Sequence, residues 1–350
     1  MSTADAIEQR VDDKAPIKMS QARDGASRSF DGRHVASVID AIYATRRKSG
    51  VQRMRSLGNL GVWYPIDRLD AAGIRRLLRT VEELGYSTFW YPEALGYESL
   101  SIASFMLANT ERLTIGSSIA NIYARDPFTA RRGLRTLSSL YEDRFILGLG
   151  VSHAPMVEKL RGHVYDKPVP TMRRYLDGLY ENPADAADWP LMIAALGPLM
   201  LKLAAERTAG ALPYNVTPDH TREARAALGP DKLLVVEQKV CLEADATTAR
   251  GLARSELHRY MAMTNYRNNW LRIGFTEADL AEGGSDKFID AMVLRGDVET
   301  IARGLRAHFD AGANQVCIQP VHAEGDREAR DRTLSALAGV GALDTTAFNR

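Results

Sequence analysis

Short apolar runs alternate with amphipathic segments from residue 57 to residue 340, and this alternation predicts strands and helices in turn. Ile74, Leu77, Leu78 and Val81, for example, recur at helical spacing and end before Gly85. The predicted strands lie at residues 60–63, 88–91, 113–117, 145–149, 191–194, 210–212, 233–242 and 315–319. The predicted helices lie at residues 70–84, 98–109, 127–141, 172–180, 198–208, 218–228, 298–311 and 327–340, with an extended helical excursion over 246–273 and a further helix over 286–294.

This order of elements predicts an α/β fold with a parallel sheet, because strands that alternate with helices pair through crossover connections. Eight strand–helix units favour a closed (β/α)8 TIM barrel. A doubly wound open sheet is the alternative, but no Gly-x-Gly-x-x-Gly turn follows the first strand. In a barrel, the chemistry is expected at the carboxyl ends of the strands.

The chain has 350 residues, of which 45% are hydrophobic, enough for one barrel domain over residues 56–345. Residues 1–55 mix charges, Ser and Gly without a strong apolar period, and they predict a flexible N-terminal extension. An arm that crosses a partner subunit is the alternative interpretation of this segment.

Composition excludes several classes of function. A formal net charge of +1 argues against nucleic acid as a partner, and no apolar run is long enough to span a membrane. The N-terminus lacks the apolar stretch of a secretory signal, which predicts a cytoplasmic protein. Cys241 and Cys317 stand in apolar runs and are expected to be buried and reduced. Neither His-Glu-x-x-His nor Cys-x-x-Cys occurs, so no metal site is expected.

A polar loop and then a helix follow the third strand. Asp126 is the expected N-cap of this helix and Pro127 its first residue. Small residues at its end, with Ser118 and Ile119, allow a close approach of backbone to a ligand. Asn121 can donate and accept hydrogen bonds there. At the end of the second strand, Glu93 is a candidate for hydrogen bonding to a cofactor or for acid–base catalysis, the alternative being a solvated loop carboxylate.

The fourth strand ends in Gly150, where glycine permits a turn, followed by Ser152 and His153 at the expected barrel mouth. His153 is the best candidate for proton transfer near neutral pH, although a lone histidine is often structural. The fifth strand ends in Gly197 before Pro198, and a helix N-terminus at this point suits a phosphate. A tight strand–helix turn explains the same spacing.

Aromatic residues end the first strand. Trp63 and Tyr64 are either core side chains or an apolar wall for a flat ring or a substrate. Tyr123, in the loop after the third strand, is expected to line the substrate side with them.

Taken together, these strand ends resemble the luciferase-like family of barrel oxidoreductases, and in particular its branch that uses the deazaflavin coenzyme F420. The resemblance runs from about residue 57 to residue 340. It is carried by the order and spacing of Leu-Gly-Val-Trp63, Phe-Trp-Tyr-Pro-Glu93, Ile-Gly-Ser-Ser-Ile-Ala-Asn-Ile-Tyr-Ala-Arg-Asp-Pro127, Arg-Phe-Ile-Leu-Gly-Leu-Gly150, Ala-Ala-Leu-Gly-Pro198 and Asp-Ala-Gly-Ala-Asn-Gln-Val316.

The resemblance implies a tricyclic ring over the barrel, with its rear face against a non-prolyl cis peptide bond at Ser118–Ile119. It implies that Ala195, Leu196 and Gly197 meet the coenzyme phosphate. Sugar-phosphate dehydrogenases of this family have His after the acid of the second strand and Glu in the fourth-strand loop. This chain has Ala94 and His153 at those positions, which argues against glucose 6-phosphate as the substrate.

The functional prediction is therefore hydride transfer between coenzyme F420 and a small organic substrate, with His153 as the main acid–base candidate and Glu93 second. An FMN-dependent monooxygenase on the same barrel is the alternative. A non-catalytic barrel that binds a coenzyme or serves in an assembly is a third hypothesis. Relatives commonly dimerise, so the resemblance also implies a homodimer.

Overall fold

The computed structural model describes residues 57–180 and 189–342. Its strands are β1 (Leu60–Trp63), β2 (Thr88–Tyr91), β3 (Thr114–Ser117), β4 (Ala120–Asn121), β5 (Phe145–Gly150), β6 (Leu191–Ile193), β7 (Gly210–Ala211), β8 (Leu233–Cys241), β9 (Val293–Arg295) and β10 (Gln315–Pro320). Its helices are α1 (Ala71–Glu83), α2 (Ser99–Ala108), α3 (Pro127–Leu140), α4 (Ala154–Glu158), α5 (Pro168–Leu179), α6 (Pro198–Arg207), α7 (Pro218–Leu228), α8 (Ala246–Met261), α9 (Thr264–Arg272), α10 (Glu277–Leu280), α11 (Asp286–Met292), α12 (Val298–Asp310) and α13 (Arg327–Leu337), and a 3₁₀ helix spans Ala338–Ala342.

Eight strands of the described part close a parallel barrel in the order β1, β2, β3, β5, β6, β7, β8, β10. The barrel closes because β10 pairs with β8 on one side and with β1 on the other. Gln315 is in register with Val235 of β8, and Val316 with Leu60 of β1. The predicted (β/α)8 TIM barrel is confirmed, and closure excludes the open sheet.

The helical excursion predicted over residues 246–273 comprises two helices, α8 and α9. The helix predicted over 286–294 ends at Met292, and Val293–Arg295 form β9 instead. The physical reason is the length of β8, which pairs with β7 only at Leu233 and Leu234. Its remaining edge carries backbone groups that need partners, and β9 pairs there with Lys239–Cys241.

Part of the barrel interior is filled by a cluster of apolar side chains. Trp90 is the largest fully buried side chain of this cluster, and a Cβ on Gly116 would lie 2.3 Å from its indole ring. Glycine is therefore required at 116 because the neighbouring strand must make room for Trp90. The interior cluster comprises Trp63, Trp90, Ile146, Met192, Leu212, Val235 and Cys317.

The segment between β8 and α12 packs over the carboxyl-terminal rim of the barrel. Its own apolar cluster includes the fully buried Trp270 and Phe288. Leu196 after β6 and Tyr214 after β7 pack against the same cluster. This segment, α8 to α11 with β9, thus forms a roof over one side of the rim, and it is called the roof segment below.

The helix start predicted after the third strand is confirmed. Asp126 is the N-cap of α3 and accepts the Thr129 N–H at 3.0 Å, with Pro127 as the first helical residue. Cys241 and Cys317 are free and buried, as expected. The predicted extension over residues 1–55 and the predicted end of the barrel at residue 345 lie outside the described residues.

Candidate active site at the carboxyl-terminal rim

Four predicted site residues lie at the ends of neighbouring strands. Glu93 follows β2, Asn121 ends β4, His153 follows β5 and Gly197 follows β6. In the barrel, β2 is joined to β6 through β3 and β5, and β4 pairs with β5. Parallel strands end at one rim, so the structure brings these four residues to the same face of the barrel.

The connection between β3 and β4 forms a bulge with a cis peptide bond between Ser118 and Ile119, as the family resemblance implied. The Ser118 N–H donates to the Tyr91 carbonyl at 2.7 Å, and the Trp63 indole N–H donates to the Ser118 carbonyl at 3.3 Å. A Cβ on Gly150 would lie 2.4 Å from Ile119 Cγ1. Glycine is therefore needed at 150 for close packing of the bulge, not for the turn that the sequence suggested.

Glu93 is buried in an ion pair with Arg125, the two side chains being 4% and 5% exposed. Its Oε2 accepts the Asn121 N–H at 2.7 Å, and its Oε1 accepts the Ser99 N–H at 3.3 Å. Arg125 also donates to Glu98 at 2.8 Å. The burial excludes a solvated loop carboxylate. Both Glu93 oxygens are engaged by backbone N–H groups or by Arg125. Glu93 is therefore better suited to positioning the β4 loop than to proton transfer.

Asn121 and Tyr123 lie beside the bulge. The Asn121 Oδ1 accepts the Tyr123 N–H at 2.9 Å. The Tyr123 ring centroid lies 6.1 Å from that of Tyr165 and 6.3 Å from that of His163. Within the described part of the chain, the buried Tyr123 hydroxyl has no hydrogen-bond partner. This hydroxyl is therefore available for a hydrogen bond with a ligand over the bulge.

His153 is the N-cap residue of α4, and its side chain makes no capping hydrogen bond. Burial lowers the pKa of the imidazole below its ordinary value, and a hydrogen bond with Asn265 of the roof segment opposes this effect. The net lowering leaves the ring neutral at neutral pH, able to accept a proton. Before it, Ser152 has a left-handed backbone with φ of +58° and its carbonyl accepts the Tyr165 O–H at 3.3 Å.

An aromatic run joins the bulge to His153. The Trp63 ring centroid lies 4.9 Å from that of Tyr214, and Tyr214 lies 6.1 Å from Tyr266 of α9. Tyr266 in turn lies 5.7 Å from the His153 ring. Tyr214 and Tyr266 were not predicted as site residues. The run shows that the roof segment supplies one wall of the candidate site.

Tyr64 does not join this run. Its hydroxyl is 3.1 Å from His322 Nε2, its ring stacks on that imidazole, and the Arg330 guanidinium lies 5.3 Å from the ring centroid. Tyr64 packs in the layer between strands and helices, whereas Trp63 belongs to the barrel interior. The two neighbours face opposite sides of the strand, as the period of two requires.

The loop from Ala195 to Gly197 leads into α6 and presents free backbone donors. Gly197 is the N-cap of α6, without a side-chain cap, and Pro198 at the first helical position has no N–H. Among the described residues, the N–H groups of Gly197 and Leu199 have no acceptor. A Cβ on Gly197 would meet nothing within 4 Å. The loop therefore opens onto free space with two unused N–H groups.

Sequence reasoning missed a pair of charges inside the barrel. Lys239 and Glu237 have side chains only 1% and 4% exposed, with Nζ and Oε1 3.1 Å apart. Nζ also donates to Asn215 Oδ1 at 2.6 Å and lies 4.0 Å from the Tyr214 ring centroid. Burial lowers the pKa of Lys239 and raises that of Glu237, and the charge of each partner opposes the change.

The Tyr214 ring that contacts Lys239 belongs to a set of hydrogen bonds that reaches the roof segment. The Tyr214 O–H donates to Gln319 Oε1 at 2.9 Å, and the Tyr260 hydroxyl is 2.7 Å from that of Tyr214. Gln319 donates to Glu256 at 3.0 Å. The signal for the cluster was present in the sequence, since Glu237 and Lys239 interrupt an apolar strand two residues apart and thus share one face.

Residues 57–180 and 189–342 contain neither a candidate membrane helix nor a candidate metal cluster. No helix there is both long and apolar enough to cross a bilayer. No group of three or more His, Cys, Asp or Glu side chains there is arranged to hold a metal ion.

Comparisons with known proteins agree with the barrel. A Mycobacterium tuberculosis protein named as a coenzyme F420-dependent oxidoreductase is 24% identical over 347 residues, covering 80% of this chain and 98% of that protein. An F420-dependent secondary alcohol dehydrogenase in complex with an F420–acetone adduct superposes with a TM-score of 0.63 at 14% identity, covering 82% of this chain and 99% of that one.

A flavin enzyme has a similar fold. The oxygenating component of 3,6-diketocamphane monooxygenase from Pseudomonas putida, in complex with FMN, gives a TM-score of 0.59 at 13% identity and covers 81% of this chain and 98% of its own. The sequence model of the luciferase-like monooxygenases matches residues 54–315. This chain is therefore an enzyme of the luciferase-like monooxygenase family.

Proposed function

We propose that the enzyme is a coenzyme F420-dependent oxidoreductase that moves a hydride between the deazaflavin and a small organic substrate. The observation that carries the proposal is the gathering of the bulge, the open Gly197 loop and a neutral His153 at one rim of the barrel. The Mycobacterium tuberculosis relative and the secondary alcohol dehydrogenase, both named as F420-dependent, support the choice of coenzyme.

The described residues fit such a coenzyme. Free space and two unused N–H groups at the start of α6 suit a phosphate, which helix N-termini bind well. We assign the phosphate to Ala195, Leu196 and Gly197. The ring is assigned to Ser118 and Ile119, together with Asn121, Gly150 and Ser152. When bound, the coenzyme supplies or accepts the hydride.

The chain's own residues orient the reactants and move a proton. Glu93 with Arg125 holds the β4 loop. Trp63 and Tyr123 are assigned to the substrate side. Tyr214 and Tyr266 are assigned to it as well, because they continue the aromatic run from Trp63. His153 is assigned as the group that takes a proton from an alcohol-type substrate during oxidation, or returns it during reduction. Tyr64 is assigned to the surrounding shell, because it packs against Arg330.

Direct titration tests the coenzyme. We expect F420 to bind and its fluorescence to change on addition of the purified protein, with weaker binding of FMN. Tight FMN binding without F420 binding would overturn the proposal in favour of an FMN-dependent monooxygenase, which the FMN-bound neighbour makes the second candidate. Binding of neither coenzyme would overturn both coenzyme assignments. A homodimer and a cytoplasmic location stay predictions from the sequence.

A further inference from the structure

A fully buried histidine lies behind the open loop. His220, in the first turn of α7, is 0% exposed, and its Nε2 is 2.8 Å from the Leu196 carbonyl oxygen. A carbonyl can only accept, so Nε2 carries the hydrogen and donates. Burial lowers the pKa of His220, which keeps the ring neutral. Its Nδ1 is buried and has no partner within the described residues.

This hydrogen bond sets the direction of one peptide group. The bond between Leu196 and Gly197 is trans, so its C=O and N–H point in opposite directions. Holding the Leu196 carbonyl against His220 therefore turns the Gly197 N–H away from His220, and this N–H has no acceptor among the described residues. The N–H groups of Met200 and Leu201 are already used by the Gly197 carbonyl.

We propose that His220 is a positioning residue for an anionic phosphate group, acting through the Leu196 carbonyl to aim the Gly197 N–H at the ligand. The inference rests on the proposed function, in which this loop receives the coenzyme phosphate. Burying a neutral imidazole with one unpaired nitrogen costs free energy, and an apolar side chain could fill the same space without that cost. Glycine has a flexible backbone, so without this hydrogen bond the Gly197 N–H would not be held in one direction.

The test compares ligands that differ only in a phosphate. Dissociation constants are measured by fluorescence for the deazaflavin 5′-phosphate against the same deazaflavin with a free 5′-hydroxyl, and for FMN against riboflavin. The variants are His220→Leu, which cannot donate, and His220→Gln, whose amide nitrogen can occupy the place of Nε2. His220→Asn is a polar control that is too short to reach Leu196.

We expect His220→Leu and His220→Asn to raise the dissociation constant of the phosphorylated ligand about tenfold, the usual scale for one lost hydrogen bond to a charged group. The phosphate-free ligand should bind within about twofold of wild type, and His220→Gln should restore most of the loss. A merely structural histidine would change both ligands equally, and that result overturns the inference.

Failure of the proposed function has a different signature. If wild type prefers FMN to deazaflavin, the coenzyme assignment fails, and the inference is judged on the FMN and riboflavin pair. If wild type shows no preference for the phosphorylated member of either pair, the inference about His220 is overturned. Should His220→Leu not fold, His220→Asn against His220→Gln gives the same comparison.

Discussion

Lys239→Met tests how the charges buried in the barrel are balanced. Methionine is an unbranched side chain one heavy atom shorter than lysine, and it removes the charge. Glu237 would remain, with a side chain 4% exposed, and lose a partner 3.1 Å away. Breaking a buried pair from one side costs about 3–5 kcal/mol, because the remaining charge is left uncompensated. We therefore expect the free energy of unfolding to fall by that amount.

The double variant Glu237→Gln with Lys239→Met is the matched control. It removes both charges, and replacement of a whole buried pair is often close to neutral. We expect a loss of about 1 kcal/mol, since Asn215 Oδ1 also loses the Lys239 donor. Urea unfolding, followed by the fluorescence of the four tryptophans, gives the free energies from the midpoints. The single variant Glu237→Gln is measured as well, and a double variant whose loss equals the sum of the two single losses, within about 0.5 kcal/mol, would refute the coupling.

Three further predictions follow from individual contacts. His153→Ala should lower turnover roughly 10²-fold or more and leave coenzyme affinity nearly unchanged, and unchanged turnover in steady-state assays would remove His153 from the mechanism. Gly150→Ala should cost about 1–3 kcal/mol in unfolding free energy and weaken coenzyme binding, because its Cβ would lie 2.4 Å from Ile119 Cγ1. Gly251→Ala is its control, since a Cβ there meets nothing within 4 Å, and equal effects of the two variants would contradict the packing argument. Burial lowers the pKa of His308 to about 4 from 6.5, so the unfolded state binds more protons between these values and stability falls as the pH falls. Between about pH 7 and pH 5, wild type should therefore lose about 2 kcal/mol more of its free energy of unfolding than His308→Gln does. Urea unfolding of both proteins at the two pH values measures the difference.

The sequence was enough to predict which candidate site residues follow strands and what chemical groups they carry. Glu93, Asn121, His153 and Gly197 were named because each follows an apolar strand, and parallel pairing brought them to one rim. What each side chain does there depended on its neighbours. Glu93 was named as an acid–base candidate, but its ion pair with Arg125, a residue 32 positions away in the chain, became visible only in the fold.

Spacing alone determined the alternation of elements, the helix start at Asp126 and the apolar faces of the strands, because the periods of two and 3.6 residues are local properties. Tertiary structure decided that Val293–Arg295 form a strand, since their partners on β8 lie more than 50 residues earlier. It also decided that Lys239 is buried against Tyr214 and that His220 reaches Leu196. Contacts between distant segments compete with local preference through burial and hydrogen bonding, and these terms exist only once the chain has closed into a barrel.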